Sequence, residues 1–136
     1  MASNWKFNHI GAVVRDVDKA GDYYQSLGIV DEATGRVTME GKKAKLIGRF
    51  IHIGSLLLEL WQPVRGETVQ QEFLNSRGEG INHIAFNVDD LDRERDKLVE
   101  KGIPVVFSVK DENGYMAYFD ARKFGNILIE LIEPPK

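Results

Sequence analysis

Short stretches of apolar and polar alternation recur along this chain, and they fall into two sets. Residues 7–14 and 81–88 are runs rich in β-branched and aromatic residues, each with the length of a strand. A polar stretch that predicts a helix follows each, at 16–27 and 90–101. Aspartates stand at both starts, where a carboxylate accepts from the free backbone N–H groups of the first turn. Gly28 and Gly102 follow the ends, where the chain turns through a left-handed conformation. On the second helix Leu91, Leu98 and Val99 predict a modest apolar stripe. Residues 49–53 and 56–61, broken at Gly54-Ser55, predict a hairpin, and residues 115–120 and 126–132 its counterpart. Residues 103–108 predict the remaining strand of the second set. The repeating unit is βαβββ, and two such units make an α+β fold with eight strands. Between them, residues 69–75 predict a short helix and Arg77-Gly78-Glu79-Gly80 a flexible hinge.

The two sets are an internal repeat. Residues 8–29 and 82–103 align without a gap, and 9 of the 22 positions are identical. A second pair, LLLELWQP at 56–63 and ILIELIEP at 127–134, matches at four of eight positions. Each copy thus opens with a histidine, His9 or His83, and closes with a glutamate, Glu59 or Glu130. The chain reads as one domain over 1–136, with module one at 5–63, a linker at 64–80 and module two at 81–134.

Strand parity assigns faces to these residues. Side chains alternate across a strand, so Ile10, Ala12 and Val14 oppose His9, Gly11 and Val13. Ile84, Phe86 and Val88 oppose His83, Ala85 and Asn87 in the same way. On the closing strands, Leu56, Leu58 and Leu60 oppose Leu57, Glu59 and Trp61, and Ile127, Ile129 and Leu131 oppose Leu128, Glu130 and Ile132. The all-apolar sets belong under the helices. Each module then carries a histidine and a glutamate on its other face. A carboxylate among leucines needs a compensating partner, because an unpaired buried charge costs several kcal/mol. A structural ion pair and a shared divalent ion both meet that need.

Composition narrows the field. The chain has 136 residues, 43% hydrophobic and 29% charged, enough for a globular core without a staple. A net charge of −3 gives no electrostatic reason to expect nucleic acid. Absence of cysteine excludes disulfides, thiolate ligands and cysteine nucleophiles. No apolar run is long enough to span a bilayer, and residues 1–7 hold no signal-like stretch, so the default expectation is a soluble cytoplasmic protein with no membrane partner.

On NHIGAVVRDVDKAGDYY, LLLELWQP, GEGINHIAFNVDDLD and GNILIELIEP, the sequence resembles the vicinal oxygen chelate superfamily, which includes glyoxalases, bleomycin-resistance proteins and dioxygenases. The resemblance spans residues 8–134. It implies paired βαβββ modules forming a cupped mixed sheet around a metal, with His9, Glu59, His83 and Glu130 as ligands. All four are present, which sets the chain apart from binding-only branches that lack ligands. Two branches keep such a site, lactoylglutathione lyase (glyoxalase I) and methylmalonyl-CoA epimerase. The linker sequence WQPVRGETVQQEFLNSRGEG resembles that of the epimerases, and the resemblance also implies a homodimer.

Both implied reactions remove a proton beside a carbonyl, which a divalent ion assists by stabilising the oxyanion as it forms. Glu130 and Glu59 are the candidate proton-transfer residues. The implied substrate is a small molecule, an acyl-CoA or a glutathione adduct; a small-ligand-binding module of the same fold is the alternative to an enzyme. An all-nitrogen-and-oxygen ligand set admits Co, Ni, Mn, Fe or Zn. The epimerases place a further, non-ligand glutamate ahead of the first hairpin. Here Lys43 falls at that place, and Glu40 is the nearest acid. Lys42, Lys43, Lys45 and Arg49 form a basic cluster suited either to solvent or to phosphates. His52, which has no counterpart in the second copy, reads as structural or exposed.

Overall fold

A computed structural model describes residues 4–136; Met1–Ser3, part of the N-terminal stretch read above, lie outside the described residues. The described residues form β1 (Lys6–Val13), α1 (Val17–Ser26), β2 (Glu32–Ala33), β3 (Val37–Glu40), β4 (Lys45–Ile53), β5 (Leu56–Arg65), α2 (Val69–Arg77), β6 (Gly80–Asn87), α3 (Leu91–Glu100), β7 (Val105–Asp111), β8 (Gly114–Phe119) and β9 (Leu128–Glu133). They divide into two compact units. One is His9–Asn82; the other is His83–Lys136 together with residues 4–8.

In the first unit β1 runs parallel to β5, with Ile10 opposite Leu58, Gly11 opposite Glu59 and Ala12 opposite Leu60. β4 pairs antiparallel with β5, and both β2 and β3 pair antiparallel with β4. That makes nine strands among the described residues where eight were expected. The ladder against β4 is interrupted at Thr34. Its hydroxyl, not its carbonyl, accepts the Phe50 N–H at 3.0 Å, and its carbonyl accepts from the Arg49 side chain at 3.2 Å. Val17 of α1 is fully buried against Ile51 and Leu60 of the sheet, with Ala12, Val14, Ala20, Tyr24 and Leu58 packed around them. The Asp16 carboxylate caps α1 by accepting from the N–H groups of Asp18 and Lys19. Arg49 does not join the basic cluster expected for it. Its guanidinium runs beneath α1, reaching the Asp18 carbonyl and the Asp22 carboxylate, and a Cβ at Gly21 would come within 2.5 Å of it.

α2 is capped by the Thr68 hydroxyl and ends at Gly78, whose φ of +80° a side chain would resist. The helix runs two residues past the expected 69–75. The four residues expected as a hinge hold defined places: Arg77 ends α2, Gly78 caps it, Glu79 accepts the Arg15 N–H at 2.8 Å, and Gly80 opens β6.

In the second unit β6 runs parallel to β9, β8 pairs antiparallel with β9, and β7 with β8. Val88, Leu91, Ala117, Phe119 and Leu131 form its core, with Trp5, Phe86, Leu98, Ile103, Tyr115 and Ile129 packed against them. Asp90 caps α3 through the Arg93 N–H. Val99, expected in the apolar stripe, is 49% exposed, and Glu94 turns inward instead. The carboxylate is compensated there by the Trp5 indole N–H at 2.8 Å and by Arg93 and Lys97. No helix among the described residues is long and apolar enough to cross a membrane.

Candidate functional site

The packing under each helix settles which faces the strands present. Ala12, Val14, Leu58 and Leu60 lie against α1, so His9 and Glu59 occupy the opposite face of the first unit. Phe86, Val88, Ile129 and Leu131 pack with the α3 core, so His83 and Glu130 occupy the opposite face of the second.

Register then brings each pair together. In the first unit Glu59 stands opposite Gly11, two residues beyond His9, and its Oε2 lies 3.2 Å from His9 Nδ1. In the second unit Glu130 stands opposite Ala85, two residues beyond His83, and its Oε1 lies 3.2 Å from His83 Nε2. The residue across from each glutamate is small in both cases. The two histidines and Glu130 are buried, and the Glu59 side chain is 13% exposed.

The aromatic surroundings differ between the two pairs. Phe50 stands opposite Glu59 and packs edge-on against Trp61, at 5.5 Å between ring centres. The Trp61 indole N–H donates to Glu59 Oε1 at 3.1 Å. In the second unit Tyr118 stands opposite Glu130 and meets the His83 ring edge-on at 5.1 Å. Tyr118 is buried.

The donor chemistry of each pair suits a divalent ion. Two neighbouring donors on an octahedral ion with bonds of ~2.0–2.2 Å are ~2.8–3.1 Å apart. A nitrogen and a carboxylate oxygen at 3.2 Å need only a small adjustment to occupy such positions.

Glu40 is not on this face. It shares a face with Thr38, which stands opposite Ile47 of the α1 core, and its carboxylate pairs with Arg65 at 3.3 Å. Arg65 lies six positions along β5 from Glu59, ~20 Å at strand rise. Glu32 is the acid that register puts on the right face. It stands opposite His52, which stands opposite Leu57, a neighbour of Glu59 on its own strand face-set. Sequence reading missed Glu32 because β2 has two residues and no periodicity to detect. The Trp61 contact was legible in principle, since residues two apart on a strand share a face.

Comparison with known proteins follows the same lines. A family model described as the glyoxalase/bleomycin resistance protein/dioxygenase superfamily matches residues 8–125. The uncharacterized protein YqjC of Bacillus subtilis (strain 168) is 29% identical over 133 residues, covering 95% of this chain and 92% of YqjC. Methylmalonyl-CoA epimerase from Mycobacterium tuberculosis superposes with a TM-score of 0.77 at 24% identity, covering 100% of this chain and 94% of that one. A Streptomyces coelicolor methylmalonyl-CoA epimerase variant in complex with 2-nitronate-propionyl-CoA gives 0.75 at 22% identity, over 98% of this chain and 100% of that one. A hypothetical protein from Bacillus halodurans C-125 gives 0.79 at 24% identity, over 98% and 97%.

Proposed function

Because the chain belongs to the glyoxalase/bleomycin resistance protein/dioxygenase superfamily, we propose that it is a metal-dependent isomerase of the epimerase type, acting on an acyl-CoA. The observation that carries the reading is the repeated His–Glu pair, at one register and one distance in both units. Duplication alone would copy an ion pair into both modules, but retention of both His–Glu pairs while most aligned positions diverged fits a shared ligand role. The acyl-CoA is proposed from the solved neighbours, two of which are methylmalonyl-CoA epimerases.

His9, Glu59, His83 and Glu130 would hold one divalent ion, of Co, Ni, Mn, Fe or Zn. When bound, that ion supplies a Lewis acid for the carbonyl oxygen beside the acidic C–H. The protein's own part is proton transfer and orientation. Glu130 takes the proton from the carbon next to the thioester, and a carboxylate of the first unit returns one to the other side. Glu59 and Glu32 share the face from which that return would come. The aromatic side chains around both pairs, Phe50, Trp61 and Tyr118, limit water and strengthen each electrostatic contact.

The test is wash-in of solvent deuterium. Purified protein loaded with Co²⁺ is incubated with methylmalonyl-CoA in D₂O, and the thioester is analysed by mass spectrometry. Incorporation at the carbon between thioester and carboxylate is expected. Consumption of a methylglyoxal–glutathione hemithioacetal, with acyl-CoAs untouched, would instead assign a lactoylglutathione lyase. Metal uptake with neither reaction would assign a binding module.

A further inference from the structure

The two His–Glu pairs match in register, and in the first a tryptophan two residues along the strand also binds the glutamate. Glu59 receives a hydrogen bond from the Trp61 indole at 3.1 Å on one oxygen, while its other oxygen lies 3.2 Å from His9. Trp61 itself has little room to move. It is 6% exposed, Phe50 meets its ring edge-on, and Gly48 stands directly across from it. A Cβ at Gly48 would come within 2.7 Å of the indole ring. The position equivalent to Trp61 in the second unit is Ile132, which has no side-chain donor.

We propose that Trp61 is a positioning residue for the metal site, holding Glu59 as a fixed one-oxygen ligand. The inference rests on the ligation put forward above. The indole donates to Oε1, which favours ligation through Oε2, and Oε2 already lies alongside His9. Gly48 and Phe50 fix the indole, and the indole fixes the carboxylate. A hydrogen-bonded ligand loses less freedom on metal binding, and such supporting partners commonly account for 10–100-fold in affinity. A second consequence is a division of labour. With one oxygen held by the indole and the other beside His9, Glu59 serves ligation, and Glu32 is left to return the proton on the face the two share.

Co²⁺ alone is the probe. Metal-free protein is titrated with it, following both the affinity and the visible absorption of the bound ion. Trp61→Phe, which keeps an aromatic ring and removes the N–H, is expected to weaken Co²⁺ by ~10–100-fold. Its absorption bands should also shift, because a released Glu59 can bind through both oxygens. Trp5→Phe, at the other tryptophan of the chain, should change neither. Gly48→Ala, which displaces the indole without deleting it, should move affinity and spectrum in the same direction as Trp61→Phe. In Trp5→Phe, Trp61 is the sole tryptophan, and stoichiometric Co²⁺ should quench its emission even if Trp61→Phe fails to fold. Wild-type affinity and spectrum in both Trp61→Phe and Gly48→Ala would overturn the inference while leaving four-residue ligation intact; bound Co²⁺ that leaves Trp61 unquenched would remove Glu59 from the ligand set, and the inference with it. A wild-type protein that takes up no Co²⁺ would overturn the ligation and this inference together.

Discussion

Glu130 Oε1 lies 3.2 Å from His83 Nε2, although the first and last strands of the second module that carry them are far apart in sequence. The parallel pairing of β6 with β9 produces this contact, because it sets Glu130 opposite Ala85, two positions from His83 on the same face. The two side chains are expected to behave differently when altered. Glu130→Gln keeps an oxygen that can ligate but removes the basicity. Its turnover should fall by ~10²–10⁴-fold with metal content largely retained, the usual contribution of a positioned base. His83→Ala deletes a ligand outright and should lose metal and activity together. Metal analysis beside a turnover assay checks both. Full turnover in Glu130→Gln would sink its assignment as the base.

Much of this was legible in the sequence, for a physical reason. The repeat fixes which residues are equivalent, and alternation fixes which share a face, so the placing of His9 with Glu59 and of His83 with Glu130 follows from pattern, while their reading as ligands came from the family resemblance. The helix starts were equally plain, since Asp16 and Asp90 cap as capping residues should. What escaped lies where pattern has no purchase. β2 is too short to show a period, so Glu32 was invisible until its pairing with His52 was seen. Arg49 read as a surface cation because nothing in sequence reveals that a glycine at position 21 opens a channel under α1. Val99 is exposed and Glu94 is buried in α3, where a tryptophan from the N-terminal segment supplies the carboxylate with a donor that the helix pattern does not reveal.

The two acids of the first unit make a direct comparison. Glu32 shares the face of Glu59, whereas Glu40 lies on the other face and is paired with Arg65. Glu32→Gln is expected to lower deuterium wash-in by ~10²-fold if Glu32 returns the proton. Glu40→Gln should leave the rate unchanged. The reverse outcome, a slow Glu40→Gln and an unaffected Glu32→Gln, would refute the face assignment.

Assembly as a homodimer is expected from the surface as well as from the family resemblance. Both tryptophans are unavailable to an interface, since Trp61 is buried within its own unit and the Trp5 indole is committed to Glu94. Phe7 remains about half exposed. β7 adds Val105, Val106, Phe107 and Val109, exposed on a strand that pairs only with β8 among the described residues. Such an apolar edge is open to pairing with another chain. Light scattering at micromolar concentration should give a dimer mass, and Phe107→Lys should shift it toward monomer. A monomer in the wild-type protein defeats the prediction.

Glu94 makes stability depend on pH in a predictable direction. The Trp5 indole hydrogen bond holds its carboxyl below the ordinary value of 4.5 against the opposing pull of burial, with help from Arg93 and Lys97. A carboxyl whose folded value is depressed binds its proton more readily in the unfolded chain. Its contribution is therefore fully present above the ordinary glutamate range and is lost as pH falls through the folded value. Denaturant unfolding of wild type and Glu94→Gln, followed by tryptophan emission, should show the variant less stable at pH 7. The difference should shrink progressively below about pH 4. In a Trp5→Phe background the same Glu94→Gln change should cost less at pH 7, because the principal donor is already gone. A stability difference that stays constant from pH 7 down through the acid range would show that packing, not the charge held by Trp5, is what Glu94 contributes.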